Sequence, residues 1–349
     1  MPDPVSVAAR LRKWDQAPQG PMTLEVYPTL KCNLDCSFCD TTERHQPRQD
    51  ELPLERHLEI LDEAAAMGVR RVFILGGGEP LVARDLTPPI MRRVKELGME
   101  GILTTNGTIL PSSLARQILD TGWDEIHVSI DGPDAAIHDR LRGVEGAFHK
   151  TVRNLCRLNV LRGQQATPRL ALHFVLTTLN AHTLSEMVQL GHALGCFRID
   201  FDRLIAYRPE QVALKLTDQQ NAALPEQVRK AAVLADQLGI AHTLTNLLQT
   251  RGDAPPQALS GTGRENAPCL KAWHYLVVQA DGRTSPCCVL AGQGESAADT
   301  PLSELWRDSP FLNAVRDGME RGEPLPRCRE CSPNILAHEA AIRAELQAT

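Results

Sequence analysis

Short apolar runs alternate with amphipathic stretches along most of the chain between residues 23 and 250. Apolar runs bounded by turn residues are typical of strands that are buried on both faces. This pattern predicts six strands, at 22–30, 70–78, 101–107, 125–132, 169–178 and 197–206.

The stretches between these runs have the spacing of amphipathic helices. The segment 54–68 places apolar side chains on one helical face, at Leu54, Leu58, Leu61 and Ala65. Further helices are predicted at 85–98, 112–122, 147–158, 183–195 and 217–239. Strands that alternate with helices form a parallel sheet, and its chemistry collects at the carboxyl ends of the strands. The pattern therefore predicts an α/β fold, and it leaves open whether the sheet curls into a barrel.

The pattern changes after about residue 250. Residues 251–268 are rich in glycine, proline and small polar residues, which indicates a linker. Residues 273–290 predict two strands around an Asp-Gly turn, and 302–322 predict one or two helices. We therefore divide the chain into an N-terminal segment, a core, a linker and a small C-terminal domain, at 1–21, 22–250, 251–268 and 269–349.

Charge and hydropathy restrict the function classes. The chain has 37 basic and 43 acidic residues, a net charge of −6, which gives no positive surface for nucleic acid. No run of about eighteen apolar residues is present, so we expect no membrane span. The N-terminus lacks the apolar core and cleavage site of a secretory signal. We therefore expect a cytoplasmic protein.

Ten cysteines are unexpected in such a protein, because cytosolic thiols rarely form stable disulfides and clustered ones more often bind metal. Two cysteines, Cys156 and Cys196, stand alone in the sequence, and we expect both to be buried apolar side chains. The others form an early group and a late group, at Cys32, Cys36 and Cys39 and at Cys269, Cys287, Cys288, Cys328 and Cys331.

The early group places three thiols within the segment CNLDCSFC, on the loop that leaves the first predicted strand. Cysteine thiolates are the ligands of iron–sulfur clusters, and a fully protein-ligated four-iron cluster uses four of them. Three ligands would leave one metal position open. A zinc site completed by His45, or three incidental cysteines, are the alternatives.

CNLDCSFC resembles the Cys-x3-Cys-x2-Cys signature of the radical S-adenosylmethionine (SAM) enzymes, including the aromatic residue before the third cysteine. The resemblance covers about residues 22–210 and implies a partial (βα)6 TIM-like barrel. It also implies that Cys32, Cys36 and Cys39 bind a four-iron cluster, that SAM chelates the open iron, and that Phe38 packs near the adenine. Reductive cleavage of SAM would then yield a 5′-deoxyadenosyl radical that abstracts hydrogen from a substrate.

Other strand ends resemble SAM-binding segments of the same family. Gly76 to Pro80 resembles its GGEP element, in which glycine allows the backbone to approach the methionyl amino group. Arg142 resembles the arginine that pairs with the SAM carboxylate, with Arg140 as the alternative. Turn formation and strand-end capping are the alternative interpretation for the polar residues. The implied SAM-binding residues are thus Gly77, Gly78, Glu79, Thr105, Asn106, Ser129, Asp131 and Arg142.

The late group resembles the SPASM and twitch extensions of radical SAM enzymes, which bind auxiliary four-iron clusters. No cysteine follows Cys331, so the resemblance implies one auxiliary cluster, ligated by Cys269, Cys287, Cys328 and Cys331. Cys288 is the alternative to Cys287. A zinc ribbon is an alternative site, and two clusters would need Cys288 and ligands other than cysteine.

The single-cluster spacing resembles that of a twitch enzyme that oxidises a cyclitol alcohol. It therefore implies oxidation of a small polar metabolite such as an amino sugar or cyclitol, with the auxiliary cluster as electron acceptor. Such a reaction needs a base for the released proton. Four residues at the ends of the fifth and sixth strands are candidates for that role or for substrate contact, and strand-end salt bridges are their alternative interpretation: His173, Asp200, Asp202 and Arg203.

Two other functions remain open. The first is a maturase that cross-links, epimerises or oxidises a ribosomal peptide, since many relatives with these extensions do so. About 21 residues precede the first strand, which we expect to be too few for an N-terminal peptide-recognition domain. The second is a non-catalytic, metal-stabilised binding protein. For the metabolite oxidoreductase and for the peptide maturase, an electron donor such as flavodoxin or ferredoxin is the expected partner.

Overall fold

The computed structural model describes residues 2–16, 19–39, 50–249, 264, 267–329 and 331–348. His45, and with it the zinc alternative that needs it, lies outside the described residues. Most of the predicted linker 251–268 lies outside them as well.

The described strands form one sheet in the order β7-β6-β5-β4-β3-β2-β1-β8-β9. Its strands are β1 (Thr23–Val26), β2 (Arg71–Ile74), β3 (Glu100–Thr105), β4 (Glu125–Ser129), β5 (Arg169–Leu176), β6 (Arg198–Arg203), β7 (Ala241–His242), β8 (Tyr275–Val278) and β9 (Thr284–Ser285). All neighbours pair in parallel except β8 and β9, which are antiparallel. The predicted α/β fold is confirmed as an open parallel sheet, consistent with a partial barrel. Each of the six predicted strands is present and shorter than predicted.

The described residues also form eleven α-helices, several of which cover the outer face of this sheet. They are α1 (Pro4–Arg12), α2 (Leu54–Ala66), α3 (Thr87–Glu96), α4 (Ser112–Asp120), α5 (Ala135–Arg142), α6 (Ala147–Arg162), α7 (Leu184–Ala193), α8 (Asp218–Leu238), α9 (Leu302–Asp308), α10 (Pro310–Glu320) and α11 (Pro333–Gln347). Every predicted helix is present. The sequence pattern missed α1, α5 and α11. In the described residues, no helix combines the length and the apolar character needed to cross a bilayer.

The buried face of α2 differs from the predicted one. Its buried residues are His57, Ile60, Leu61 and Ala64, whereas Leu54, Leu58 and Ala65 are only half-buried. The helix packs against α3 and α9 as well as the sheet, so a wider stripe is partly covered. A histidine therefore occupies a position that the pattern did not mark as buried.

The two faces of the strands differ in polarity. On the outer face, Leu24, Val72 and Leu172 pack with the helices into the main apolar core. The alternate positions point into the lumen of the open barrel and include polar side chains such as Glu25 and His127. The lumen is therefore a polar interior that the apolar runs of the sequence did not indicate.

The C-terminal region continues the sheet instead of standing apart from it. β8 pairs in parallel with β1, from Thr23 opposite Tyr275 to Val26 opposite Val278. Helices α1 and α11 pack together, and Trp273 lies in the apolar cluster that α1 shares with the C-terminal region.

The two solitary cysteines have different environments. Cys196 is buried as expected, but the expectation for Cys156 is wrong, because this side chain is exposed on α6. Cys156 occupies the outward-facing side of a helix whose buried residues are Ala147, Thr151, Asn154, Leu155 and Leu158.

Candidate functional site

A cavity of about 720 Å³ lies at the carboxyl ends of the strands, where chemistry collects in parallel sheets. It is lined from both parts of the chain. The core contributes the early cysteines, the glycines after β2 and the ends of β3 to β6, and the C-terminal region contributes Gln279, Cys288 and Val289.

The early cysteine loop is fixed on one side by the glycines that follow β2. The Gly78 amide donates to the Thr29 carbonyl at 3.0 Å, and the Glu79 amide donates to the Lys31 carbonyl at 2.8 Å. A Cβ atom at Gly78 would lie 2.0 Å from the Lys31 carbonyl oxygen, so a side chain there would displace the loop. Glycine is thus needed for the close approach of two backbones.

On the other side, the cysteine loop contacts the C-terminal end of α5. The Asp35 amide donates to the Arg142 carbonyl at 3.1 Å, and the Ser37 amide donates to the Leu141 carbonyl at 2.9 Å. These bonds satisfy carbonyls that a helix end leaves without intrahelical partners. Helix α5, absent from the sequence prediction, therefore positions the loop.

Arg142 connects this helix end to the cysteines. Its Nη2 lies 2.5 Å from Asp131 Oδ2, and its Nη1 donates to Cys36 Sγ at 3.7 Å. The guanidinium carbon lies 5.3 Å from the centre of the Phe38 ring. Burial raises the pKa of the Cys36 thiol, and the nearby Arg142 charge opposes this rise. The arginine is therefore placed to stabilise negative charge on sulfur.

Arg142 also keeps one unused donor. Its Nε is buried and has no hydrogen-bond partner among the described residues. Asp131 is fully buried behind it and is not among the residues that line the cavity, whereas Arg142 and Ser129 line it. Arg140, the alternative arginine, is exposed. An unpaired buried guanidinium N–H favours an anionic ligand here, so the residues fit a carboxylate-bearing cofactor.

Glu79 joins the ends of β2 and β3. Its carboxylate accepts from Thr105 Oγ at 2.6 Å, from the Asn106 amide at 2.7 Å and from the Leu81 amide at 2.9 Å. Burial raises the pKa of Glu79, and these hydrogen bonds act in the opposite direction. The Asn106 side chain in turn donates to Asn33 Oδ1 in the cysteine loop at 3.0 Å. Asn33 and Leu81 are contacts that the sequence reading missed.

A second cavity, of about 30 Å³, brings four of the late cysteines together: Cys269, Cys287, Cys328 and Cys331. Apolar side chains complete its wall, among them Leu290, Val315 and Met319. Burial raises the pKa of Cys269 and Cys287, so both are neutral thiols in the absence of metal. Four sulfurs around one small, mainly apolar space fit a completely ligated metal centre.

The two cavities share a wall. Val289 lines both of them, Cys287 lines the small one, and Cys288 lines the large one. The two adjacent cysteines therefore face different spaces.

The four candidates for proton transfer or substrate contact separate into two pairs. Asp202 and Arg203 line the large cavity, and His173 and Asp200 are not among its lining residues. Asp202 accepts from Ser332 Oγ, and burial raises its pKa. Arg203 directs its Nε to the Leu247 carbonyl at 2.7 Å. Asp200 lies two residues before Asp202 on β6, and His173 lies two residues before the cavity-lining Val175 on β5. These two side chains contact each other.

Two family models match the chain. Residues 26–190 match the radical SAM superfamily, and residues 269–332 match an iron-sulfur cluster-binding domain, SPASM. The first matched segment contains the early cysteine group, and the second contains the late cysteine group. The matches indicate a SAM-binding four-iron cluster, an auxiliary cluster and SAM as cofactors.

The chain resembles curated proteins over most of its length. It is 25% identical to AdoMet-dependent heme synthase of Nitratidesulfovibrio vulgaris over 347 residues, which cover 93% of this chain and 91% of that protein. It is 28% identical to PqqA peptide cyclase of Streptomyces rochei over 337 residues, which cover 93% and 85%.

Among solved structures, Streptococcus suis SuiB bound to precursor peptide SuiA shares the fold. The TM-score is 0.69 at 19% identity, over 89% of this chain and 70% of SuiB. At this identity the likeness concerns the fold alone.

Proposed function

We propose that this chain, which belongs to the radical SAM superfamily and has a SPASM-type extension, modifies a peptide by a radical reaction. The observation on which the proposal depends is that the early cysteines and residues of the C-terminal region line the same cavity of about 720 Å³. A substrate in that space would contact both parts of the chain.

Cys32, Cys36 and Cys39 would hold the four-iron cluster in the loop between the β2 glycines and α5. When bound and reduced, this cluster supplies the electron that cleaves SAM and yields the hydrogen-abstracting 5′-deoxyadenosyl radical. Arg142 would donate to the SAM carboxylate through its unused Nε, while Asp131 fixes the guanidinium. Glu79 and Thr105 would keep the two strand ends in place, and Gly77 and Gly78 would allow the cofactor to approach the backbone.

Asn106, Ser129 and Phe38 would complete the SAM site, since all three line the large cavity. Asp202 is our candidate for the base that accepts the released proton, because it lines the cavity and its raised pKa favours protonation. Cys269, Cys287, Cys328 and Cys331 would hold the auxiliary cluster behind Val289. When bound, this cluster would supply an electron acceptor beside the reaction cavity.

The peptide reading replaces oxidation of an amino sugar or cyclitol as our leading hypothesis. The match to PqqA peptide cyclase supports it, and it spans 93% of this chain. A flavodoxin or ferredoxin donor, a cytoplasmic location and the division at residues 22, 250 and 269 stay predictions.

The test is anaerobic incubation of the reconstituted protein with SAM, dithionite and the short peptides encoded beside its gene. We expect 5′-deoxyadenosine, and a peptide whose mass falls by the loss of two hydrogens if the reaction is an oxidation or cross-link. The Cys36→Ala variant controls for SAM cleavage by other routes and should give neither product. Stimulation of 5′-deoxyadenosine formation by cyclitols or amino sugars, and by no peptide, would contradict the proposal.

Heme formation is the second candidate, because AdoMet-dependent heme synthase is 25% identical to this chain across 93% of its length. The same incubation with a panel of iron tetrapyrroles in place of peptide distinguishes the two functions. Heme, measured by its pyridine-complex absorbance, would appear only if this second candidate is correct.

A further inference from the structure

Three metal-ligating side chains meet in the lumen of the open barrel, below the large cavity. His127 lies on β4, His173 on β5 and Asp200 on β6, and one ligand atom from each lies within 4.8 Å of the others. The positions two residues later on these strands, Ser129, Val175 and Asp202, line the cavity. Side chains two apart share one face of a strand, so this cluster is the next layer down and is separate from both cysteine groups.

The distances suit a single small cation. His173 Nε2 lies 3.3 Å from Asp200 Oδ2, and His127 Nδ1 lies 2.8 Å from His173 Nε2. Ligand atoms bound tetrahedrally to zinc at about 2.0–2.1 Å are separated by about 3.3 Å. The first pair already has this spacing, and the second needs to widen by about half an ångström.

A carboxylate orients one of the histidines. His127 Nε2 lies 2.9 Å from Glu125 Oε2, and both residues are buried. A carboxylate oxygen only accepts hydrogen bonds, so the contact with Glu125 requires a proton on His127 Nε2. The hydrogen-bond network then assigns its proton to Nε2, facing Glu125, and leaves the Nδ1 lone pair facing His173 and Asp200. A carboxylate behind a histidine in this way is the usual partner of a metal-bound imidazole.

Charges around the cluster are balanced without a cation. Arg198 Nη2 lies 3.0 Å from Asp200 Oδ2, and Arg169 pairs with Glu125. Two arginines therefore offset the two carboxylates. A cation at this position would need bonds to both imidazoles, since charge attraction alone would not hold it. This requirement favours a transition metal over Mg²⁺ or Ca²⁺, which prefer oxygen ligands.

We propose that His127, His173 and Asp200 bind one divalent transition metal ion of the zinc class, with a fourth position open to water or to a small ligand. The His173 side chain is 34% exposed, so this position is accessible from the lumen. The ion joins β4, β5 and β6, the strands whose next layer contributes Ser129 and Asp202 to the reaction cavity. A plain hydrogen-bond chain from Glu125 through His127 to His173 is the competing explanation.

Metal analysis of the holoprotein distinguishes the two. The chain is reconstituted with iron and sulfide, given one equivalent of Zn²⁺, passed over a chelating resin and analysed by mass spectrometry for zinc and iron. We expect about one zinc per chain beside the cluster iron, and a higher unfolding temperature in its presence. Asp200→Asn and His173→Gln should lose this zinc and retain iron. His192→Gln, which changes an exposed histidine on α7, should keep both.

Zinc bound at cysteines of incompletely loaded cluster sites would be equal in all of these proteins. Equal zinc in wild type and variants, or none in the wild type, would overturn the proposal. If Asp200→Asn and His173→Gln both unfold, the wild type loaded with Co²⁺ and labelled with ¹⁵N-histidine gives an independent answer. Pulsed electron paramagnetic resonance must then show cobalt coupled to histidine nitrogen, and its absence rejects the site.

Discussion

His57 is a buried residue whose polar atoms have no partner among the described residues. It is 1% exposed on α2, and neither ring nitrogen makes a hydrogen bond. Burial lowers its pKa from 6.5 to about 4, so the folded protein keeps the ring neutral. The unfolded chain takes up a proton as the pH falls below about 6.5, and the folded chain does not until about pH 4. Stability is therefore lost as the pH falls through this window.

The substitution His57→Leu should remove this dependence. When the pH falls from about 7 to about 5.5, His57 should lower the unfolding free energy of the wild type by about 1 kcal/mol. The unfolding free energy of the variant should therefore fall by about 1 kcal/mol less than that of the wild type over the same interval. The variant should also be more stable at both pH values, because an apolar side chain replaces two unsatisfied buried polar atoms. Urea denaturation at the two pH values measures both effects.

His182→Leu is the matched control, since it makes the same change at an exposed position. It should leave the pH dependence of the wild type unaltered. An equal pH response in wild type and His57→Leu would mean that His57 is protonated in the folded protein, or has a partner there.

Residue types in a motif were predictable from the sequence, whereas contacts between residues distant in the sequence were not. The motif predicts Cys32, Cys36 and Cys39 as cluster ligands, because chemistry fixes their type and spacing, and the family resemblance predicts Arg142 as the arginine of the SAM site. It did not locate Asn33 as a partner of Asn106, since that bond joins residues 73 positions apart. The polar layer of His127, His173 and Asp200 was equally inaccessible as a unit. Each lies on a different strand, and only the sheet register brings them together.

At the scale of elements, the junction between α5 and the cysteine loop requires a glycine. Gly143 ends α5 at φ +70°, and a Cβ atom there would lie 2.1 Å from the Asp35 carbonyl oxygen. Gly146 has nearly the same conformation, φ +76°, with nothing within 4 Å of its Cβ position. A side chain at either glycine would strain the backbone, but only a side chain at Gly143 would also collide with the cysteine loop.

Gly143→Ala should displace the cysteine loop and reduce iron from about eight to about four per chain, because the early cluster is lost. Gly146→Ala should retain about eight, since it adds only the cost of a left-handed backbone, about 1 kcal/mol. Iron and sulfide analysis after anaerobic reconstitution measures the difference. Equal iron in the two variants would show that contact with α5 does not hold the loop.

Elements were predictable where their apolar periodicity was strong. All six core strands and their helices follow the sequence pattern. Helix α5 was missed because it has only eight residues, AAIHDRLR, about two turns, so its apolar periodicity hardly repeats. The parallel pairing of β8 with β1 was missed because the sheet order depends on contacts between residues about 250 positions apart. No local signal encodes that contact.

At the scale of the whole molecule, two adjacent cysteines lie on opposite sides of the wall between the cavities. Cys287→Ala should lower iron from about eight to about four per chain, because it removes a thiol from the small cavity. Cys288→Ala should leave iron near eight, because its side chain lines the large cavity. The same iron analysis decides between them. The reverse result, loss of iron only in Cys288→Ala, would make Cys288 the auxiliary ligand.

The parallel pairing of β1 with β8 makes the core dependent on the C-terminal region. β1 lies between β2 and β8, and Tyr275 on β8 donates to the buried carboxylate of Glu25. A chain that ends at residue 249 would leave β1 as an exposed edge, and Tyr27, at 2.7 Å, would be the remaining hydrogen-bond partner of Glu25 among the residues that the structure describes. Unpaired edge strands aggregate, and buried carboxylates without partners destabilise the fold.

We therefore expect the 1–249 fragment to aggregate on gel filtration and to lose the cooperative thermal transition of the full chain by circular dichroism. Full-length Tyr275→Phe keeps the strand and removes only the hydroxyl, so it should stay folded and should not aggregate. It should lose about 1–3 kcal/mol of unfolding free energy. A soluble 1–249 fragment with a cooperative transition would show that the barrel folds alone. In that case the C-terminal region would be an attachment, as the sequence pattern first suggested, and not a structural part of the sheet.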